Sequence, residues 1–297
     1  MKAEKMTREK TKEELLPYLL LTPTLASGKS KIVSRLIYNI YISFFSKKLG
    51  VIASSHYVGL WNYVNLFRKP LFYKVLKNSL IWTFGSLIPH LLIGLLLAVV
   101  LNQKLKIARV ARSIIVLPWV VPGVVAANIW RLIFHADFGM INDFLFRMGL
   151  IDSYQAWLGK PDTAMLAVII ANIWKGVPFY VILFYAGLQA IPNELYEAAK
   201  VDGANMWQNF VYITLPQLKS VISIAAVLAF MWSWNFFDLI YVMTQGGPVR
   251  ATENMPIYIY STSFLYYRMS EAAAISFLLF FNFFIMFILY YTLQKRA

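Results

Sequence analysis

The sequence has 297 residues and no cysteine, which excludes disulfide bonds and thiol catalysis. Charge is scarce too, at 14% of residues, and acids are the scarcer sign: 14 Asp and Glu stand against 28 Lys and Arg, for a formal net charge of +14. The three histidines, His56, His90 and His135, are scattered. No histidine or carboxylate stands at ligand spacing from His90, which reads as a packed or pore-lining residue rather than part of a metal centre. No nucleophile motif or paired-carboxylate signature is present. Gly28-Lys29-Ser30 has the ending of a phosphate-binding loop, but Pro23 occupies the position of the required earlier glycine and no strand precedes it. The chain is therefore expected to catalyse no covalent step, with neither catalytic residues nor metal ligands.

What the sequence has in abundance is apolar and aromatic side chains, 59% and 16% of residues. That profile belongs to a polytopic membrane protein. The cations sit in short segments beside apolar runs, which fits membrane flanks better than nucleic-acid binding. Residues 1–14 mix Lys, Arg and Glu and read as a cytoplasmic tail, without a cleavable signal peptide. Leu15–Ala26 and Ile32–Phe45 are apolar, but Ser27, Gly28, Lys29, Ser30 and Lys31 divide them, so 15–45 is an interrupted first span, each half shorter than the ~20 residues a span needs. Residues 46–79 form a polar connection in which GLWNYVNLF (59–67) reads as an interfacial helix. A core at 80–293 then carries spans at about 80–101, 114–134, 164–189, 221–243 and 272–293.

Pro89 is a kink candidate, Pro118 and Pro122 fall inside the third span, and Gly176 and Pro178 are expected to weaken the fourth. Lys104, Lys106, Arg109 and Arg112 mark a cytoplasmic connection, and Lys295-Arg296 a cytoplasmic C-terminus. Asp137, Asp143, Asp152 and Asp162 suit the outer side. The expected fold is all-α and polytopic, with about six transmembrane helices and both termini inside.

One polar stretch, Glu197 to Pro216, lies between apolar blocks. The run from Glu194 to Lys200 favours helix after Pro192. Gly203 stands where a left-handed stop is needed. Asn205 caps a second helix, and Gln208, three residues on, completes a capping box. Trp207, Phe210 and Val211 share one face of that helix, and Pro216 is expected to end it.

Glu197-Ala198-Ala199, Gly203 six residues after Glu197, Ile213 and Leu215-Pro216 together resemble the EAA loop of ABC-importer permease subunits. Alongside the loop, GLWNYVNLF and TQGGP (244–248) are similar to segments of that family, LPWVVPGVVAANIW (117–130) resembles the matching span of its carbohydrate-type permeases, and the details together look like the carbohydrate-uptake class. The resemblance covers roughly residues 57–293. The interrupted first span is a departure from the unbroken apolar run usual in relatives.

The resemblance implies a cytoplasmic EAA helix-turn-helix that docks on a separate ATPase, with Glu197, Ala198, Ala199, Asp202, Gly203, Ile213, Leu215 and Pro216 as coupling residues. It implies a second related permease subunit, two ATPase subunits that use ATP and Mg, an extracytoplasmic solute-binding protein, and the prokaryotic plasma (inner) membrane as location. This chain itself would bind no cofactor. Carried over by motif position, the substrate pathway comprises Asn172, Trp174, Lys175, Gly176, Phe179, Ser233, Asn235 and Phe236. Aromatic faces and amide or hydroxyl groups of this kind suit a saccharide. Lys175 would suit an acidic one, or pair with Asp238. The alternatives are an ABC permease for a non-sugar solute, such as a polyamine or metal oxyanion, and a membrane scaffold or receptor that needs no ATPase.

Overall fold

The computed structural model describes residues 31–47, 55–103 and 108–295. Residues 15–30 of the interrupted first span, and Lys104 and Lys106 of the cytoplasmic cation cluster, lie outside them. The chain forms two compact units, one of residues 1–66 with 262–278, the other of 67–261 with 279–297.

In the first unit, α1 (Lys31–Ser43) leads into a two-stranded antiparallel ladder, β1 (Phe45–Ser46) with β2 (His56–Tyr57), in which Phe45 faces Tyr57. GLWNYVNLF then turns into α2 (Trp61–Phe67). Asn62 ties the two segments together, donating to the carbonyls of Ser43 and Phe45 at 2.7 and 2.9 Å. The buried hydroxyls of Ser43 and Tyr63 satisfy each other at 2.7 Å.

The second unit holds the long helices. In chain order they are α3 (Pro70–Asn102), α4 (Ala108–Ile115), α5 (Leu117–Val120), α6 (Gly123–Ile133), α7 (Met140–Arg147), α8 (Pro161–Gln189), α9 (Asn193–Val201) and α10 (Met206–Asn209). A π-helical turn, Phe210–Thr214, leads into α11 (Leu215–Trp234), followed by α12 (Asp238–Thr244) and α13 (Met255–Tyr260); α14 (Met269–Lys295) begins in the first unit and ends in the second. Among the described residues three helices are long and apolar enough to cross a membrane: α3, α8 and the continuous run Met206–Trp234. Val110–Val120 and Gly123–Ile133 make a fourth when the bent pair is counted as one span.

α3 and α8 pack most intimately, and glycines let them do so. A β-carbon at Gly85 would stand 2.9 Å from Ile169 Cδ1, and one at Gly94 2.7 Å from Tyr180 Cβ. Without a hydrophobic force between helices in lipid, close approach through small residues is what holds such a pair together. Around it, Trp82, Val168, Leu239, Ile240 and Ile257 are buried in one cluster, and Val181, Phe184, Leu218, Ala225 and Ala229 in another.

The prolines behave differently from one another. α3 runs unbroken through Pro89, and α8 through Gly176 and Pro178. The expected span 114–134, by contrast, bends by 97°. Pro122 has no N–H for the carbonyl four residues back, and its ring crowds that carbonyl, which belongs to Pro118. Val121, preceding a proline, is pushed to extended geometry, φ −61°, ψ 127°.

Pro216 does not end its helix. The π-turn lets Leu215 N–H reach back to Phe210 O, and the helix continues through Pro216 to Trp234. The extra residue in the turn widens the helix just before Pro216, so the run carries the proline without breaking.

Candidate functional site

Two broken helices meet at one place. The first break is at Val121-Pro122; the second lies between α11 and α12, where Asn235 and Phe237 leave helical geometry. Beside them a cavity of about 120 Å³ is lined by His90, Trp119, Asn172, Lys175, Gly176, Phe179, Tyr180, Trp232, Ser233 and Phe236. The α8 residues of this set sit at the middle of a 29-residue helix. A break within a span frees backbone carbonyls that lipid cannot satisfy, so neighbouring side chains or a polar cavity must do so. At the second break Asn254 does this, donating to Phe236 O at 2.7 Å, while the Trp82 indole N–H adds a 2.9 Å bond to Ser233 O, which also accepts from the Phe236 N–H at 3.3 Å. Lys175 does it for the first, its Nζ donating to Val121 O at 2.5 Å.

The walls are aromatic. Phe179 lies 5.8 Å from Trp119 and 4.8 Å from Trp232, centroid to centroid. The floor is polar. Asn172 and Ser233 are 4% and 3% exposed, and among the described residues their side chains have no hydrogen-bond partner. His90 Nε2 stands 3.1 Å from Asn172 O. A carbonyl only accepts, so Nε2 is the donor and Nδ1 is left as a buried acceptor with no partner among the described residues. The ring stacks on Tyr180, centroids 5.1 Å apart. Aromatic faces around a few unspent hydrogen-bonding groups form a surface suited to a polyhydroxylated ring.

Six of the eight residues expected on the pathway line this cavity: Asn172, Lys175, Gly176, Phe179, Ser233 and Phe236. Trp174 is not among them; it packs edge-on against Trp130 at 5.9 Å. Asn235 is exposed at the end of α11. Gly176 serves as a notch for the His90 ring rather than as a point of helix weakness. Lys175 and Asp238 form no ion pair. Four lining residues, His90, Trp119, Tyr180 and Trp232, are absent from the expected set. Trp119 lies within the LPWVVPGVVAANIW segment, and Trp232 and Tyr180 each adjoin an expected residue. Only the fold brings His90 to them.

The polar stretch forms a hairpin. α9 ends in a Schellman motif: Gly203, at φ +78°, donates to Lys200 O, and Ala204 N–H reaches Ala199 O at 2.9 Å. Asn205 and Gln208 make the reciprocal capping box, at 2.8 and 2.9 Å. Tyr196 and Thr214 hydroxyls, 2.9 Å apart, join the two helices. Glu197, Ala198, Asp202 and Pro216 are exposed, and Ala199, Ile213 and Leu215 half-buried. Val201, Met206, Trp207 and Tyr212 are more than two-thirds exposed, giving the hairpin an apolar surface.

Residues 90–297 match the family described as binding-protein-dependent transport system inner membrane component. The trehalose/maltose transport system permease protein MalF of Thermococcus litoralis is 36% identical over 274 residues, 91% of this chain and 90% of that protein. The sulfoquinovosyl glycerol transport system permease protein SmoG of Agrobacterium fabrum is 32% identical, covering 90% and 86%. In fold, the chain is similar to one in a bacterial ABC transporter involved in the import of the acidic polysaccharide alginate, with a TM-score of 0.81, 24% identity, and 98% and 99% of the two chains covered.

The chain belongs to the binding-protein-dependent transport system inner membrane component family. It is an all-α, membrane-embedded permease, the translocating subunit of an ABC transporter rather than its ATPase.

Proposed function

We propose that this chain forms half of the pathway by which a saccharide is imported, and that the cavity at the two helix breaks is its substrate site. The observation that carries this is the pairing of the Trp119, Phe179 and Trp232 rings with the uncommitted side chains of Asn172 and Ser233. The sugars in the names of the two relatives support the substrate class. The remaining partners are a second related permease subunit, two ATPase subunits that bind ATP and Mg, and an extracytoplasmic solute-binding protein. Both termini and the α9–α11 hairpin face the cytoplasm of a prokaryotic cell.

Coupling runs through that hairpin. Its apolar surface docks on an ATPase subunit, with Glu197 as docking residue and Gly203 as turn-former. The second limb is continuous with the span through the π-turn. A displacement of the docked hairpin therefore moves α11, whose far end carries Trp232 and Ser233 into the cavity. The test is uptake of labelled oligosaccharides into vesicles holding the assembled complex. Asn172→Ala and Phe179→Ala should lower uptake about tenfold or more, as expected when buried contacts worth ~1–3 kcal/mol are lost. Trp174→Ala, off the cavity, should leave it near normal. Equal effects at all three positions would remove the cavity as the site.

A further inference from the structure

The broken span Val110–Val120 plus Gly123–Ile133 has a charged side chain from another helix on each side of its break. On the first limb, Lys175 Nζ donates to Val121 O at 2.5 Å and lies 3.5 Å from Trp119 O. These carbonyls belong to a helix end and have no partner further along the helix. Lys175 is at the centre of α8, about 21 Å of helix from either end, too far for its side chain to reach a membrane surface. Among the described residues no carboxylate stands within ion-pair distance of it.

On the second limb, α6 starts at Gly123. A β-carbon there would stand 3.7 Å from Asp238 Cβ and 3.9 Å from its Oδ2. A helix carries partial negative charge at its carbonyl end and partial positive charge at its amide end. The cation is thus at the end of one limb and the anion at the start of the next, the arrangement that complements both.

We propose that Lys175 and Asp238 act as a two-point clamp on the broken span, each serving one limb rather than pairing with the other, and that Lys175 thereby positions Trp119 in the cavity wall. Lys175 is a positioning residue in this scheme. The clamp is independent of what the cavity binds, so it can fail while the saccharide reading stands.

The absence of native cysteine makes the test direct. Ile114 and Leu132, 59% and 60% exposed, lie on the two limbs. Spin labels on Ile114→Cys and Leu132→Cys in the full-length chain, in lipid nanodiscs with co-purifying subunits retained, report the bend as a distance distribution. A sample without the introduced cysteines supplies the background. Lys175→Met should raise the ratio of non-native to native distances about tenfold, as loss of a charge-assisted hydrogen bond implies. Lys175→Arg should keep the native distribution, and Asp238→Asn should shift it in the same direction as Lys175→Met but less. The exchanged pair Lys175→Asp with Asp238→Lys should be worse than either single change. An unaltered distribution in Lys175→Met would overturn the clamp. So would a native distribution in the exchanged pair, which would mean that the two residues pair directly.

Discussion

The imidazole of His90 occupies the space that a side chain at Gly176 would need: a β-carbon built there collides with the ring, standing 2.7 Å from its Cε1. The two residues belong to α3 and α8, and the notch seats the histidine so that it can donate to Asn172 O and stack on Tyr180. Gly176→Ala should destabilise the helix pair by ~1–3 kcal/mol, the usual cost of overpacking. Adding His90→Ala should recover much of that loss. Thermal unfolding of the purified protein measures both; no recovery in the double variant would show that the clash is not the cause.

Gly203 stands alone in a different sense. Its φ is +78°, but an added β-carbon would meet no atom within 4 Å. The cost of substitution is therefore conformational. Gly203→Ala should lose ~1 kcal/mol and Gly203→Asn less, since Asn tolerates the left-handed region. Gly203→Pro is incompatible with that φ and should uncouple ATP turnover from transport. Protease sensitivity of the hairpin ranks the three.

Lys175 separates two roles that the sequence leaves open. If it clamps the broken span, Lys175→Gln lowers uptake of acidic and neutral oligosaccharides alike. A loss confined to acidic sugars would instead make it a substrate-binding residue. Uptake assays run in parallel on both sugar types decide the matter.

Glu253 offers a pH dependence. Its side chain is 5% exposed, beside Arg250 at 3.1 Å. Burial pushes its carboxyl up, while the Arg250 and Lys74 charges oppose that shift without cancelling it. The folded chain then holds a proton that the unfolded chain has released, over a window just above the ordinary carboxylate value. Stability falls as pH rises through that window and is regained as pH falls. The difference in melting temperature between the native chain and Glu253→Gln should carry this slope; a pH-independent difference would mean that the shift has no energetic effect.

Much of this was legible in the residues. Composition and apolar runs gave the all-α membrane class, because lipid permits few other solutions. Gly203, Asn205 and Gln208 announced their turn and cap, since these depend on local backbone chemistry alone. Prolines were harder to read. Pro178 and Pro89 leave their helices continuous, Pro122 breaks one, and Pro216 is absorbed by a π-turn; the difference lies in what satisfies the freed groups, which is a tertiary matter. His90 reads from the sequence as packed or pore-lining, but its partners there are not legible, for the same reason. Its place in the cavity follows from a glycine notch on another helix, 86 residues further along the chain, and no pattern local to His90 encodes it.

The most direct test of the whole account is ATP turnover by the chain assembled with its co-expressed partners. It would be measured against a panel of neutral and acidic oligosaccharides, each with the cognate binding protein. One sugar should stimulate turnover, and Glu197→Lys should abolish that stimulation while leaving the complex intact. Turnover indifferent to every sugar would contradict the saccharide assignment, and stimulation that survives Glu197→Lys would contradict coupling through the hairpin.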